Sequence, residues 1–180
     1  MTVRIQPVDA TQVQGPTAEM FQAIKGRMGK VPNMMKTMAQ SPAVLGGYLG
    51  LSGALEKGVL SPALQQQVAL YVSQVNGCEY CLSAHSLLAK HAGLTPDQIK
   101  AARLGKADDV KGQGVLNLTA NLLERRGSVS EEQLADARNS GVSDAEVLEV
   151  IGHTALTVFT NFVNQTSGAE VDFPKVPVTV

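Results

Sequence analysis

The 180-residue sequence has no tryptophan, only two cysteines, 4% aromatic residues and no surplus of either charge. Two cysteines cannot staple a chain of this length, so a small disulfide-built secreted scaffold is excluded. None is needed, because folding at this size buries roughly 70% of the surface an unfolded chain exposes. Fifteen Lys and Arg against 16 Asp and Glu leave a net charge of -1, which supplies no pull toward nucleic acid or anionic lipid. No local basic stripe replaces it. With 44% hydrophobic residues, the chain is also not of the kind that stays disordered. Long apolar runs are missing. The richest stretch, Val147 to Val163, is interrupted by Glu149, His153 and Asn161 and falls short of the roughly 20 apolar residues of a membrane span. The opening MTVRIQPVDA lacks the apolar core of a secretory signal, so a cytoplasmic protein is expected, with 1–180 as one domain.

Strand alternation is scarce as well, and what remains is helical periodicity, which predicts an all-α class. Helices are expected over 18–29, 33–40, 43–57 and 63–75, the last closed by Asn76-Gly77. The next runs from Cys78 to Gly93, and others follow at Thr95 to Leu104, Asp108 to Arg126, Ser130 to Asn139 and Ser143 to Gln165. Thr95 with Gln98, Ser130 with Gln133 and Ser143 with Glu146 have the spacing of capping boxes, whereas Asp108 has no reciprocal partner. Residues 1–15 and 172–180 read as extended ends. The glycines at 46, 47, 50 and 53 suggest close packing of their helix against a neighbour. Gly93-Leu94-Thr95 with Ile99 echoes Gly141-Val142-Ser143 with Val147, which implies either an internal helical repeat or recurring stop-then-cap grammar.

Chemistry concentrates in C-x-x-C-x-x-x-H, formed by Cys78, Cys81 and His85. At about 100° per residue the three side chains fall within a wedge of roughly 60°, on one face of a helix. The positive end of the helix dipole favours a thiolate there, and an imidazole one turn beyond Cys81 is placed to take its proton. A thiolate attacks peroxides or disulfides, and a second thiol resolves the product into a disulfide. Haem attachment requires His directly after the second Cys, where Leu82 stands. Zinc prefers four ligands and finds three, since His91 and His153 have no matching spacing. Two inert buried thiols are the remaining alternative.

Residues 60–94, LSPALQQQVALYVSQVNGCEYCLSAHSLLAKHAGL, resemble the core of the carboxymuconolactone decarboxylase and alkylhydroperoxidase D superfamily, in its peroxidase-related branch. Residues 29–55 are similar to the lead-in of that branch. The decarboxylase members lack the cysteine pair, so the resemblance points to thiol redox chemistry. It implies an alkylhydroperoxidase D-like helical domain whose cysteine pair sits in a helical hairpin. It further implies Cys81 as the peroxidatic thiol, Cys78 as the resolving thiol and His85 as a relay imidazole, with no haem, flavin or metal. The family relay contains a Glu twelve residues before the first Cys, and here that position is Gln66. A His that can precede the second Cys is replaced by Tyr80. The implied activity is reduction of hydrogen or organic hydroperoxides through a Cys78–Cys81 dithiol/disulfide cycle. A dithiol or lipoyl-type reductant and a homo-oligomer, trimer or hexamer, are the implied partners. The alternative is a disulfide reductase or redox-sensing protein in which Gln66 has silenced peroxide chemistry.

In an antiparallel hairpin Gln66 and His85 become neighbours, and an amide preserves the contact while losing the basicity of a carboxylate. Slow turnover is expected unless Glu56, Glu79 or a partner subunit supplies the base. Gln65 and Gln67 read as surface positions flanking Gln66. His153 reads as a core or interface histidine and His91 as structural, while Asn161 and Asn164 are candidates for hydrogen bonding. Tyr48 and Tyr80 are candidate phenols for a pocket. Met34, Met35 and Met38 form an adaptable apolar face suited to core or to a peroxide entrance.

Overall fold

The computed structural model describes residues 2–180, and among them nine helices and no strand. In chain order they are α1 (Gly15–Met28), α2 (Asn33–Met38), α3 (Pro42–Leu55), α4 (Pro62–Val75), α5 (Glu79–His91), α6 (Pro96–Arg103), α7 (Val110–Glu124), α8 (Glu131–Asn139) and α9 (Asp144–Ser167). The all-α expectation holds, and boundaries differ mainly at caps. Pro16 lies inside the first turn of α1 rather than ahead of it, because a proline's missing N–H has no partner there in any case. The cap of α7 is Asp109, whose carboxylate accepts the Gly112 N–H at 2.8 Å. Asp108 instead accepts from Gln98. All three expected capping boxes form.

The two echoing stops share one geometry: Gly93 and Gly141 have φ of 90° and 86°, and the next residue's N–H reaches back to Ala89 and Ala137 respectively. A left-handed C-terminal cap needs this from glycine. Leu104-Gly105-Lys106 ends α6 in a similar way, with Lys106 N–H on the Ala101 carbonyl. The echo thus has a local cause in helix-stop grammar.

Helix α4 is the hub, packed against α5, α6, α7 and α9. Its Val68, Leu70 and Val72 are fully enclosed. Burial runs round the helix, so Gln65 and Gln67, 7% and 8% exposed, are interior rather than surface residues. Gln65 meets this by donating to the Leu60 carbonyl at 2.8 Å. One apolar cluster joins α1 and α2 to both cysteines, a second lies between α4, α7 and α9, and a third between α4, α5 and α6. Along helix α3, beside Gly46, Gly47, Gly50 and Gly53, no atom of the described residues outside the local helix backbone lies within 4 Å of where a Cβ would sit. Their smallness therefore serves no contact within the chain.

The C-terminal end lacks helix, as expected, but it is strapped across the bundle. Arg103, 8% exposed, donates to Gln74 and to the carbonyls of Pro177 and Val178. Ser83 accepts the Val176 N–H, and Tyr80 donates to Asp172 while its ring meets Phe173 edge-on. Arg103→Ala would leave three acceptors short of a charged donor, each such bond being worth about 1.5–3 kcal/mol when buried. A loss of roughly 3 kcal/mol in denaturant unfolding is expected, and a loss below roughly 0.5 kcal/mol would show that the strap contributes nothing.

Candidate active site

Helix α5 begins at Glu79, so Cys78 is its N-cap rather than a member of the helical face. Its backbone is extended, with φ -87° and ψ 94°, and its Sγ folds back to accept the Cys81 N–H at 3.3 Å. The two thiols are free and buried, 1% and 3% exposed. They are not equivalent. The side-chain hydrogen bond to Cys81, and burial after it, push the Cys78 thiol well above its ordinary range. Burial opposes ionisation of Cys81, yet hydrogen bonding from the Cys78 thiol and from α9, with the Asn164 amide donating to the sulfur, holds its pKa below the usual value. The Asn164 Nδ2 lies 3.2 Å from Cys81 Sγ.

The helix dipole was the reason to expect a favoured thiolate at this N-terminus. It would act on the N-cap thiol at least as strongly. Local hydrogen bonding favours the reverse order, with the Asn164 amide donating to Cys81 Sγ. Asn164→Leu should therefore raise the Cys81 pKa by about 1–2 units, the equivalent of one hydrogen bond to an ionised group. The pH dependence of Cys81 alkylation by iodoacetamide reports this. An unmoved curve would remove Asn164 from the thiolate's support.

His85 lies one turn into the same helix and meets Gln66 of α4, Nδ1 to Oε1, at 2.9 Å. The sequence positions Gln66 and His85 on either side of the Asn76-Gly77 turn, and the packing of α4 on α5 brings them together. With the amide oxygen facing Nδ1, that nitrogen carries the proton and Nε2 keeps the lone pair. Burial, helped by the nearby His153, pushes the His85 pKa down to about 4. The imidazole is neutral at pH 7 and a weak base, which is the cost of an amide where a carboxylate would stabilise its charged form.

Gln66 and His85 open on a cavity of about 650 Å³ between α1, α3, α4, α5 and α9. Ile24, Met28, Met35 and Leu49 supply apolar lining. Tyr48, whose phenol burial keeps protonated, also faces it, as do His91 and His153. Arg27 and Glu56 line it too and form an exposed ion pair with each other. The cysteines are not in the lining. Thr160 lies on the cavity wall, its hydroxyl donating to the Thr157 carbonyl at 2.9 Å. A second cavity, about 330 Å³ between α7 and α8, holds none of these groups.

Several residues fall elsewhere than expected. Tyr80 faces away from the cavity, accepting from the Met34 N–H and donating to Asp172. Of Met34, Met35 and Met38 only Met35 reaches the cavity, while Met34 and Met38 are core. Glu79 has no place in the lining and Glu56 does. The stripe Thr157, Thr160, Asn161 and Asn164 on α9 is underrated by sequence reasoning. Four buried polar residues on one face of an otherwise apolar helix were the available signal. Among the described residues no cluster of His, Cys, Asp and Glu is arranged to hold a metal ion, and no helix is long and apolar enough to cross a membrane.

Residues 42–124 match the carboxymuconolactone decarboxylase family. No curated protein matches the chain. Among solved structures, the chain is similar to an alkylhydroperoxidase AhpD core, an uncharacterized peroxidase-related protein from Ralstonia eutropha. Identity is 19%, TM-score 0.86, and 94% of this chain and 92% of that one are covered. An uncharacterized peroxidase-related protein from Silicibacter is 20% identical, TM-score 0.78, with 94% of each chain covered. A debrominase in complex with 2,3,4-tribromopyrrole is 19% identical, TM-score 0.77, over 96% of this chain and 93% of that one. At these identities the likeness is one of fold.

Proposed function

Because residues 42–124 match the carboxymuconolactone decarboxylase family and the chain has the alkylhydroperoxidase D-like fold, we propose that it is a thiol-dependent peroxidase working through a Cys78–Cys81 cycle. The observation that carries this is the unequal setting of two adjacent buried thiols: the Asn164 amide donates to Cys81 Sγ at 3.2 Å, whereas Cys78 Sγ caps the helix by accepting the Cys81 N–H at 3.3 Å. The thiolate of Cys81 attacks the terminal oxygen of a hydroperoxide. An S–O bond forms, the O–O bond breaks, and the sulfenic acid and an alkoxide result. The alkoxide takes up the proton that the Cys81 thiol gave up, His85 Nε2 serving as its carrier. The Cys78 thiol then displaces water from the sulfenic acid, and an external dithiol reduces the disulfide.

Burial of both sulfurs argues against direct exchange with a folded partner's disulfide, whereas a small or thin reagent enters through the cavity. The test is stoichiometry. Pre-reduced protein mixed with cumene hydroperoxide should consume one peroxide per chain and lose two thiols to one internal disulfide. Thiols that persist would overturn the reading.

The cavity's size favours one second reading. At about 650 Å³ it suits a ligand far bulkier than hydrogen peroxide, and one structural neighbour of this fold is a debrominase. The same dithiol can deliver two electrons to a halogenated ring, replacing carbon–halogen by carbon–hydrogen and releasing halide as the disulfide forms. Bromide release from 2,3,4-tribromopyrrole without peroxide consumption would select it.

A further inference from the structure

Neither the cavity nor the thiols account for two exposed helix faces. On α9, Leu148, Ile151, Ala155, Phe159 and Phe162 follow one another at steps of three or four residues, so they form one stripe, and all five are exposed. Leu148 is 69% exposed and Phe162 62%. From Val150 to Ser167 the helix has no Asp, Glu, Lys or Arg, although an exposed helix face ordinarily carries them. Helix α3 lies alongside. A Cβ on Gly152 would meet Leu55 Cδ2 at 2.9 Å, and one turn earlier on α9 the Glu149 carboxylate holds the N–H groups of Val59 and Leu60, just past the end of α3, at 2.7 Å each. The two helices therefore run antiparallel. The outer face of α3, with Val44 and Leu51 exposed among Ala43, Gly47, Gly50 and Ala54, continues the stripe. It is also uncharged, from Pro42 to Leu55.

We propose that this α3–α9 face binds a second copy of the chain about a two-fold axis. The outward parts of the two helices together come to roughly 700 Å², more than the few hundred Å² of continuous apolar surface that a monomer leaves bare and close to the about 800 Å² that each partner gives to a standard interface. The face is also complementary to itself. Helix α9 supplies bulky side chains, and α3 beside it supplies small ones with open space at the Cβ positions of Gly47 and Gly50. A two-fold operator brings the same patch from both subunits together, so the α9 ridge of each copy lies on the small-residue face of the other. A lipid surface fits less well, because helices that lie among headgroups carry Lys and Arg beside their apolar face, and α3 and α9 have neither. The cavity is on the opposite side: Tyr48, Ser52, Leu156 and Thr160 of these helices line it, and none of the exposed residues named above does. Pairing thus uses no residue of the cavity.

The test is the mass of the full chain in solution, measured by sedimentation velocity over a range of concentrations. The parent should sediment at twice 18.9 kDa or an even multiple of it. Phe162→Glu places a charge where the single chain is open to water, and it should raise the dissociation constant by roughly 30-fold or more, the weight of a central aromatic anchor. Gly50→Gln adds a better helix former where the single chain has room, so it should weaken pairing while its circular dichroism matches the parent's. Val110→Glu, at a side chain 72% exposed on α7, should pair as the parent does. If Phe162→Glu does not fold, Leu148→Glu on the same stripe makes the same comparison. A parent of 18.9 kDa at every concentration, an odd-numbered assembly, α3 and α9 variants that pair as tightly as the parent, or an equal loss in Val110→Glu would overturn the proposal. A monomeric parent that binds phosphatidylcholine vesicles, and releases them with Phe162→Glu, would overturn it in favour of lipid.

Discussion

Cys81→Ser is expected to abolish peroxide consumption, whereas Cys78→Ser should still consume one equivalent and then stop. The difference follows from the two environments. At position 81 the Asn164 amide donates to the sulfur at 3.2 Å, and a serine hydroxyl there is too weakly acidic to offer an anion. Only the solution background should remain. At position 78 the sulfur is a protonated acceptor of the Cys81 N–H, and serine keeps that geometry while losing the capacity to close a disulfide. Mass spectrometry should find Cys81 with one added oxygen in Cys78→Ser, trappable by dimedone, and an internal disulfide only in the parent. The reverse pattern, with Cys78 oxidised in Cys81→Ser, would exchange the roles. Retained consumption in both single variants would take the chemistry away from this pair.

Gln66→Glu should accelerate thiol oxidation by roughly 100-fold, the low end of what a well-matched general base contributes. A carboxylate 2.9 Å from the imidazole in place of an amide stabilises the charged ring, raising the His85 pKa from about 4 toward neutrality. His85 then becomes a base strong enough to hold the Cys81 proton at pH 7. An unchanged rate would dismiss the relay.

The same substitution has a consequence for stability. In the parent, the folded chain keeps His85 neutral down to about pH 4, whereas an unfolded chain protonates it near 6.5. Between those values the unfolded state binds more protons, so stability falls as pH drops from 6.5 toward 4 and is fully present above that window. Gln66→Glu should narrow the window, which urea denaturation at several pH values measures.

The motif was legible because helical spacing is local. Cys78, Cys81 and His85 are within eight residues, and the Asn76-Gly77 turn by itself places Gln66 opposite His85. Burial was less legible. Gln65 and Gln67 read as solvated because glutamine is usually exposed, but a helix packed by neighbours on several sides has no solvent face to give them. The glycines of α3 meet no neighbour within the chain, since small residues permit close packing without requiring it.

By itself the sequence determined the all-helical class, the capping boxes, the glycine stops and the placement of a thiol pair at a helix start, all of which depend on contacts within a turn or two of the chain. Tertiary structure alone decided which thiol is favoured as thiolate, because Asn164 reaches Cys81 across 83 residues of chain. It also decided that His85 is a weak base, which is a matter of burial, and that His153 shares its cavity from another helix. Ionisation responds to every dipole within a few ångströms, whatever its distance along the chain, and the positions of those dipoles are set only when the helices pack.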